Sequence, residues 1–478
     1  MNLKQKTISN VKWSFIESIS LKAIGFVLSI ILARLLLPED FGLLAVVNVF
    51  YLFVTLFIDG GLKEALIQKK DATEVHYSSV FWMNLLIAVV LYFLLFTAAP
   101  YIERFYKYEN LSFYIRLQSL TLILESFGII QIAKATKELN LKKVTKARIP
   151  ASLISFGVGI FLAYQGYGIL SLIIQQLVNT SLYVLFLLIS VRYIPKLEFN
   201  FKEIRDMYKF GLKILSISLI SRFYAQSLNL IYAKFYTPHL LGLNNKSTSI
   251  QGTPIDLVNS TFLKGIYPTY VVLQDNQPKL KEVYLLNVRV LTLIMILING
   301  IFFFTAEELI FILLGENWLG SVVYLKIVAV GSLFFPITVQ SQNIFKVRNK
   351  LGRFLKLELI NKGITLGLVL GLISFLSFPE LLILIMAINL IFSIIYFGLA
   401  GRELEFETMK ELIRIFLRII IFTMIGFSLY ELIDVYFSPN KLLVFILFSA
   451  SFTIFWGLMN LLFEKELIVR IKSILKKS

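Results

Sequence analysis

The chain has 478 residues, 57% of them hydrophobic and only 16% charged, with a mean hydropathy of +0.78. Soluble domains run near one-quarter charged, so a soluble globule this apolar could not cover its own surface. The composition predicts an all-α polytopic membrane protein, because helices satisfy every backbone hydrogen bond within a single apolar segment.

Apolar runs of about 20 residues, the length that crosses a ~30 Å hydrocarbon core, recur along the whole chain. They lie at 13–33, 41–62, 77–99, 112–133, 148–164, 168–191, 209–232, 247–270, 284–304, 321–341, 355–376, 379–400, 413–433 and 441–463, which makes fourteen expected spans. The run at 148–164 is short. That at 247–270 is interrupted by Gln251, Asp256, Asn259 and Lys264. The N-terminal MNLKQKTISNVKW lacks a short apolar core with a small-residue cleavage site, so no removable signal peptide is expected.

The loops test this count. Alternate loops collect Lys63, Lys69 and Lys70; the run KATKELNLKKVTKAR (134–148); Lys196, Lys202, Arg205 and Lys209; Lys279 and Lys281; KVRNKLGRFLK (346–356); Arg402, Lys410, Arg414 and Arg418; and Lys465, Arg470, Lys472, Lys476 and Lys477. The intervening loops, such as PEDF, YQGYG and SFPE, are short and nearly free of cations. The net charge of +17 is therefore mainly topogenic, both termini are expected in the cytoplasm, and nucleic acid is not an expected partner. Two amphipathic stretches, 197–211 and the tail KELIVRIKSILKKS, are expected to lie on the inner membrane surface. Asn245-Lys246-Ser247 matches a glycosylation pattern in a loop expected outside, but three residues match too easily to carry weight.

An internal repeat emerges at an offset of 200 residues. ILARLLLPEDFGL (31–43) aligns with IYAKFYTPHLLGL (231–243), so that Pro38 and Gly42 face Pro238 and Gly242, and Arg34 faces Lys234. Without a gap, Lys22 faces Arg222 and Asp59 faces Asn259. A period of six spans, an even number, gives both halves the same orientation, related by an axis along the membrane normal. The expected organisation is two six-helix lobes, 1–196 and 197–402, with a C-terminal helix pair and cytoplasmic tail at 403–478.

Ionisable residues inside spans usually face a bundle interior or a hydrated cavity. The cations are Lys22, Arg116, Arg222, Lys264, Lys326 and Lys362, and the anions Glu17, Asp59, Glu125 and Asp256. A cavity lined by Lys and Arg suits an anionic, phosphate-bearing substrate. Lys22, Arg222, Lys264 and Arg116 are candidate pyrophosphate residues. Glu17, Asp59, Asp256 and Glu125 are candidates for charge balance or for binding a coupling H⁺ or Na⁺. Structural interhelical pairing or snorkelling is the competing reading, strongest for Arg116, Lys326 and Lys362 near span ends. Gln175, Gln226, Asn229, Gln251 and Asn259 are candidate glycan contacts; with Gln176, Asn179, Asn299, Gln340, Gln342 and Asn343 they serve equally well as interhelical glue.

No cofactor or metal is expected. The chain has no cysteine, and its histidines are His76 and His239 alone. It contains no Walker A loop, G-x-S-x-G elbow or H-E-x-x-H motif, and no long hydrophilic loop to hold a nucleotide-sugar, so an enzyme is not expected.

The segments KWSFIESISLKAIGFVLSIILARLLLPEDFGLLA and DGGLKEALIQKKDATE resemble the polysaccharide transporter family of the multidrug/oligosaccharidyl-lipid/polysaccharide exporter superfamily. AKATKELNLKK, IQQLVN, LLGENWLGSV and FKVRNKLGRFLKLELINK extend the resemblance over nearly the whole chain. The resemblance is greatest to bacterial O-antigen, colanic-acid and teichuronic-acid exporters. It implies a fold like that of the multidrug exporters of the superfamily (MATE-like). It also implies a flippase for undecaprenyl-pyrophosphate-linked oligosaccharides in the bacterial plasma membrane, without a cofactor. Partners so implied are the lipid-linked oligosaccharide, membrane lipids, a polysaccharide polymerase and a chain-length regulator. A drug/cation antiporter of the same superfamily, or a membrane glycan polymerase, are the alternatives. One departure from the repeat is His239 where the first copy has Glu39.

The topology carries its own test. In this cysteine-free chain, Lys143→Cys and Asp40→Cys are expected to react with a membrane-impermeant maleimide from opposite faces. Labelling of both from one face overturns the loop assignment.

Overall fold

A computed structural model describes residues 3–463, apart from the side chains at 3–9, 11, 15, 56, 59, 206, 209–210, 212–222, 225 and 260–264. The described residues are helical, with no strand among them. They fall into two compact units, residues 1–242 and 243–478.

The first unit contains α1 (Leu3–Leu35), α2 (Pro38–Asp59), the short α3 (Leu62–Gln68), α4 (Glu74–Tyr106), α5 (Leu111–Lys137), α6 (Leu141–Tyr164), α7 (Ile169–Val191), α8 (Phe201–Phe235) and the opening of α9 (Pro238–Val272). The second holds the rest of α9 and then α10 (Gln277–Phe304), the short α11 (Ala306–Leu314), α12 (Ser321–Ser332), α13 (Phe335–Val347), α14 (Leu351–Leu372), α15 (Phe378–Leu404), α16 (Thr408–Phe437) and α17 (Lys441–Phe463).

Every apolar run read from the sequence lies on one of these helices, and 11 segments are long and apolar enough to cross a membrane. Of the remainder, α8, α9 and α14 reach spanning length at 35, 35 and 22 residues but carry more polar side chains. The run at 321–341 is divided into α12 and α13, with Pro336 at the start of the second piece, where a missing N–H is tolerated.

Two expectations change. Residues 201–211 are not a separate surface helix but the first turns of α8. There Ile204 and Met207 are buried among Leu66 of α3, Val80 of α4, Ile130 of α5 and Leu187 of α7, so the apolar face of this stretch meets protein. Asn245, Lys246 and Ser247 belong to α9 rather than to a loop, and Ser247 Oγ donates to Ser321 O at 2.8 Å. The tail 464–478, with its amphipathic pattern, lies outside the described residues.

Helix ends follow local chemistry. Pro38 opens α2 with φ preset, and Asp40 accepts the Leu37 N–H at 3.0 Å. Ser377 and Glu380 start α15 in the same manner, the Ser377 N–H donating to Glu380 Oε2 at 2.7 Å. In the first unit α3 plugs one end of the bundle, its Leu62 and Leu66 fully buried. In the second, Phe304 of α10, Phe422 of α16 and Phe448 and Phe452 of α17 form one aromatic cluster, with the last two stacked at 5.3 Å. Away from these cores, Leu86, Val90, Phe93 and Leu94 of α4 are each more than half exposed. They form a continuous apolar stripe on one face, as lipid contact requires.

The α2–α3 turn shows how tightly backbone approaches backbone. Gly61 sits at φ +77°, and a Cβ built on it would lie 2.5 Å from Gly211 O of α8; one built on Gly211 would lie 2.5 Å from Gly60 O. Gly61→Ala is therefore expected to lower stability by at least ~1–3 kcal/mol, read as a fall in the melting temperature of the detergent-solubilised protein. Gly25→Ala, whose Cβ meets open space, is expected to leave it unchanged.

Candidate functional site

The charged interior of the first unit is a linked series across five helices. Glu17 of α1 is half-buried and meets two groups of α6: Thr145 Oγ1 donates to its Oε2 at 3.1 Å, and Arg148 Nη1 stands 3.6 Å from its Oε1. The Arg148 guanidinium lies 5.1 Å from the centroid of the Tyr183 ring of α7 and within electrostatic reach of Glu125 of α5. Glu125 accepts a 2.5 Å hydrogen bond from the Tyr51 hydroxyl of α2. A carboxylate in an apolar bundle needs a partner, and each of these has one.

Arg148 was counted among the basic loop residues from sequence, yet it lies seven residues inside α6 and is the partner of Glu17. The signal for it was indirect: Glu17 needed a cation at matching depth.

Lys22 lies further along α1. Its side chain is exposed, and no hydrogen bond or ion pair engages it among the described residues. About 140° around the helix from Glu17, it cannot share that carboxylate's face. Arg116 is spent locally: its Nε donates to Phe96 O at 3.1 Å, and its guanidinium lies over the Phe96 ring at 4.1 Å. Asp256 is exposed and has no such partner among the described residues. The side chains of Asp59, Arg222 and Lys264 lie outside the described residues.

The remaining cations belong to packing. Lys362 pairs with Glu358 at 3.2 Å, and Tyr396 donates to the same carboxylate at 2.8 Å. Lys326 lies 5.7 Å from the Phe303 ring centroid.

Several candidate amides are already occupied. Gln251 of α9 donates to Asn299 Oδ1 of α10 at 2.9 Å and to Ser332 of α12 at 2.6 Å. Gln118 donates to Gln176 at 2.8 Å, and Asn179 to Ser155 at 2.9 Å. Tyr270 donates to Gln340 at 2.8 Å. Gln175 is buried, its Cβ and Cγ both 2.9 Å from where a Gly159 Cβ would sit. Gln226 keeps a buried Oε1 without a hydrogen-bond partner among the described residues, whereas Asn229 is exposed and Asn259 half-buried.

The repeat read from sequence acquires geometry where its two turns meet. Pro38 opens α2 and Pro238 opens α9. A Cβ on Gly42 would fall 1.7 Å from Pro238 O, and one on Gly242 would fall 1.8 Å from Pro38 O. The contact is reciprocal, as a local two-fold axis demands, and only glycine fits either position. Across it His239 Nδ1 stands 3.3 Å from Glu39 Oε1, an ion pair when the imidazole is protonated. Both side chains are largely exposed, so the pair adds at most ~1 kcal/mol; the glycines set the closeness. The end of α8 is held too. Lys234 donates to Phe105 O beneath its ammonium–ring contact, and the Tyr108 hydroxyl is 2.5 Å from Ala233 O and 2.9 Å from Tyr236 O.

A many-span helical chain with charges paired inside its bundle and two repeat turns clasped at one end has the architecture of a membrane transporter. Two solved structures share that fold. One is the lipid II flippase MurJ in an inward closed conformation, with a TM-score of 0.71 at 13% identity over 94% of this chain and 99% of that one. The other is an inward-facing multidrug resistance transporter of the MATE family, with a TM-score of 0.62 at 13% identity over 83% and 98%.

Sequence comparison goes further. The chain belongs to the polysaccharide biosynthesis protein family, whose model matches residues 31–323, as the resemblance to polysaccharide transporters predicted. It is 24% identical over 332 residues to the teichuronic acid biosynthesis protein TuaB of Bacillus subtilis, covering 69% of this chain and 68% of that one. It is 25% identical over 283 residues to the lipopolysaccharide biosynthesis protein WzxC of Escherichia coli, covering 59% and 58%. The succinoglycan biosynthesis transport protein ExoT of Rhizobium meliloti is 24% identical over 316 residues, covering 66% and 64%.

The clasped turns predict a measurable change. Leu241 is buried beside the seam, so a cysteine there is expected to react slowly with a water-soluble maleimide. Gly42→Val in that background is expected to raise the labelling rate several-fold, because the turns can no longer touch. An unchanged rate shows that the seam does not guard this position.

Proposed function

We propose that this protein is a flippase that carries undecaprenyl-pyrophosphate-linked oligosaccharide units from the inner to the outer leaflet of a bacterial plasma membrane by alternating access. Membership in a polysaccharide biosynthesis family carries the reading, supported by a fold shared over 94% of the chain with a lipid II flippase. A glycan and its pyrophosphate cannot enter hydrocarbon bare; a protein must supply a hydrated, cationic path while the lipid tail stays in the bilayer.

In this reading α8, α9 and α14 also span, giving fourteen helices in lobes 1–196 and 197–402 with an added pair in 403–478. The basic loops and both termini face the cytoplasm. The clasped turns at Gly42 and Gly242 then close the outer end.

Lys22 is the residue on which we place the pyrophosphate contact, with Arg222 and Lys264 as its expected companions. It is the described intramembrane cation of the first unit left without a partner, whereas Arg116 is tied to Phe96. Movement of protons or Na⁺ through Asp59 or Asp256 supplies the driving force. An antiporter for cationic drugs is less well supported, because Glu17 and Glu125 already hold partners. The protein acts without a cofactor and makes no glycosidic bond; a polymerase and a chain-length regulator act on the translocated units.

Lys22→Ala is expected to reduce export of surface polysaccharide at least ~tenfold at unchanged protein level, with Lys22→Arg retaining most of it. The parallel assay uses proteoliposomes holding a fluorescent lipid-linked oligosaccharide, where the protein is expected to expose the glycan on the far leaflet. Elongation of the glycan instead of its translocation, or full export by Lys22→Ala, overturns this assignment.

A further inference from the structure

The segment that joins α7 to α8, residues 192–200, is firmly held. Its Lys196 N–H donates to Ser78 Oγ at 3.0 Å and its Asn200 N–H to Ser79 Oγ at 2.9 Å, while Trp82 Nε1 donates to Lys196 O at 2.8 Å. Tyr193 is buried against Tyr77, their rings 5.7 Å apart, and Gln131 Nε2 donates to its carbonyl at 3.3 Å. Yet the same stretch leaves Ile194 84% exposed and Leu197 90% exposed, with Phe199 and Phe201 half exposed. None of these residues takes part in the site described above. We infer that residues 194–201 form an interfacial strap. It seats its apolar side chains in the leaflet on the side of the basic loops, with cations of the same segment on anionic lipid headgroups.

Position points to lipid. Ser78, Ser79 and Trp82 lie on one side of α4, within its first three turns. Trp82 precedes Leu86 by four residues, so it continues the exposed apolar stripe of Leu86, Val90 and Phe93 toward the helix start. The strap therefore crosses the lipid-facing side of α4 at the edge of the apolar run that begins at 77. Ser78 and Ser79, whose hydroxyls hold it, are fully buried. Side chains that project away from α4 at this level meet the boundary between headgroups and acyl chains.

Composition points the same way. Residues 192–202 hold three exposed cations, Arg192, Lys196 and Lys202, against the single carboxylate of Glu198. Their long stems reach from apolar depth to headgroup level, and the ammonium and guanidinium groups are drawn to a negatively charged leaflet. Trp and Tyr favour the same boundary, where Trp82 and Tyr193 stand. Beyond Phe201 the pattern stops, because Ile204 and Met207 turn into the bundle. A strap facing water would keep Ile194 and Leu197 hydrated at a cost that contact with acyl chains removes.

The chain has no cysteine, so Leu197→Cys accepts one environment-sensitive nitrobenzoxadiazole probe. The full chain is placed in nanodiscs of phosphatidylcholine and phosphatidylglycerol in equal parts. The same probe on Lys70→Cys, an exposed position in the α3–α4 turn, serves as the water reference. The probe at 197 is expected to emit at shorter wavelength. A lipid nitroxide placed high on the acyl chain is expected to quench it at least ~threefold more than the reference. Omitting phosphatidylglycerol is expected to lower that quenching about twofold, and R192Q/K196Q/K202Q to remove the dependence.

Matching emission and quenching at the two positions overturns the inference. Short-wavelength emission without nitroxide quenching places the strap against protein, from this copy or another, and also defeats it. Quenching that is indifferent to phosphatidylglycerol defeats the assignment to anionic lipid. None of these readouts depends on which cargo the protein moves.

Discussion

The cost of leaving a polar group unpaired outside water governs this protein. Backbone amides meet it by forming helices, and intramembrane carboxylates meet it by finding a cation or a hydroxyl. Glu17 with Arg148 and Thr145, Glu125 with Tyr51, and Glu411 with Arg289 and Arg414 are three solutions to one problem. Each joins different helices, so the same contacts that neutralise charge also hold the bundles in register. Against that background Lys22 stands out as an intramembrane cation with no hydrogen bond or ion pair among the described residues.

The second organising element is the close approach of backbones at glycine. Gly42 and Gly242 lie against the carbonyls of Pro238 and Pro38, and Gly61 and Gly211 lie against each other. Dispersion and backbone dipoles act strongly at such distances, and even one methyl group would abolish them. Because the first contact is reciprocal, an internal repeat in sequence becomes a local two-fold axis in space. The Glu39–His239 pair sits on that axis and breaks its symmetry, since the two copies carry opposite chemistry at one position.

Much of the helical layout was legible in the chain. Apolar runs of spanning length, turn prolines and glycines, and alternating basic loops located the long helices, although α1, α8 and α9 begin eight to ten residues before the runs and the short α3 and α11 were not expected. Boundaries failed where amphipathic patterning had two explanations. The stretch 201–211 alternates polar and apolar residues as a surface helix would, but its apolar face is covered by α3, α4, α5 and α7, which no local pattern reveals. Arg148 was misplaced for a related reason: a cation close to a run of lysines looks like loop until its partner on α1 is seen.

The membrane class was determined by sequence alone, because hydropathy and charge asymmetry are properties of segments and survive without knowledge of neighbours; the repeat and the family resemblance were read from aligned motifs such as Pro38 and Gly42 with Pro238 and Gly242. Which charges are satisfied was decided only by tertiary structure. Glu17 and Lys22 are five residues apart on one helix and look equivalent in sequence, yet one is half-buried against Arg148 and the other is exposed, with no partner among the described residues. Pairing depends on what stands across the helix interface at the same depth, and that is a property of packing rather than of any segment.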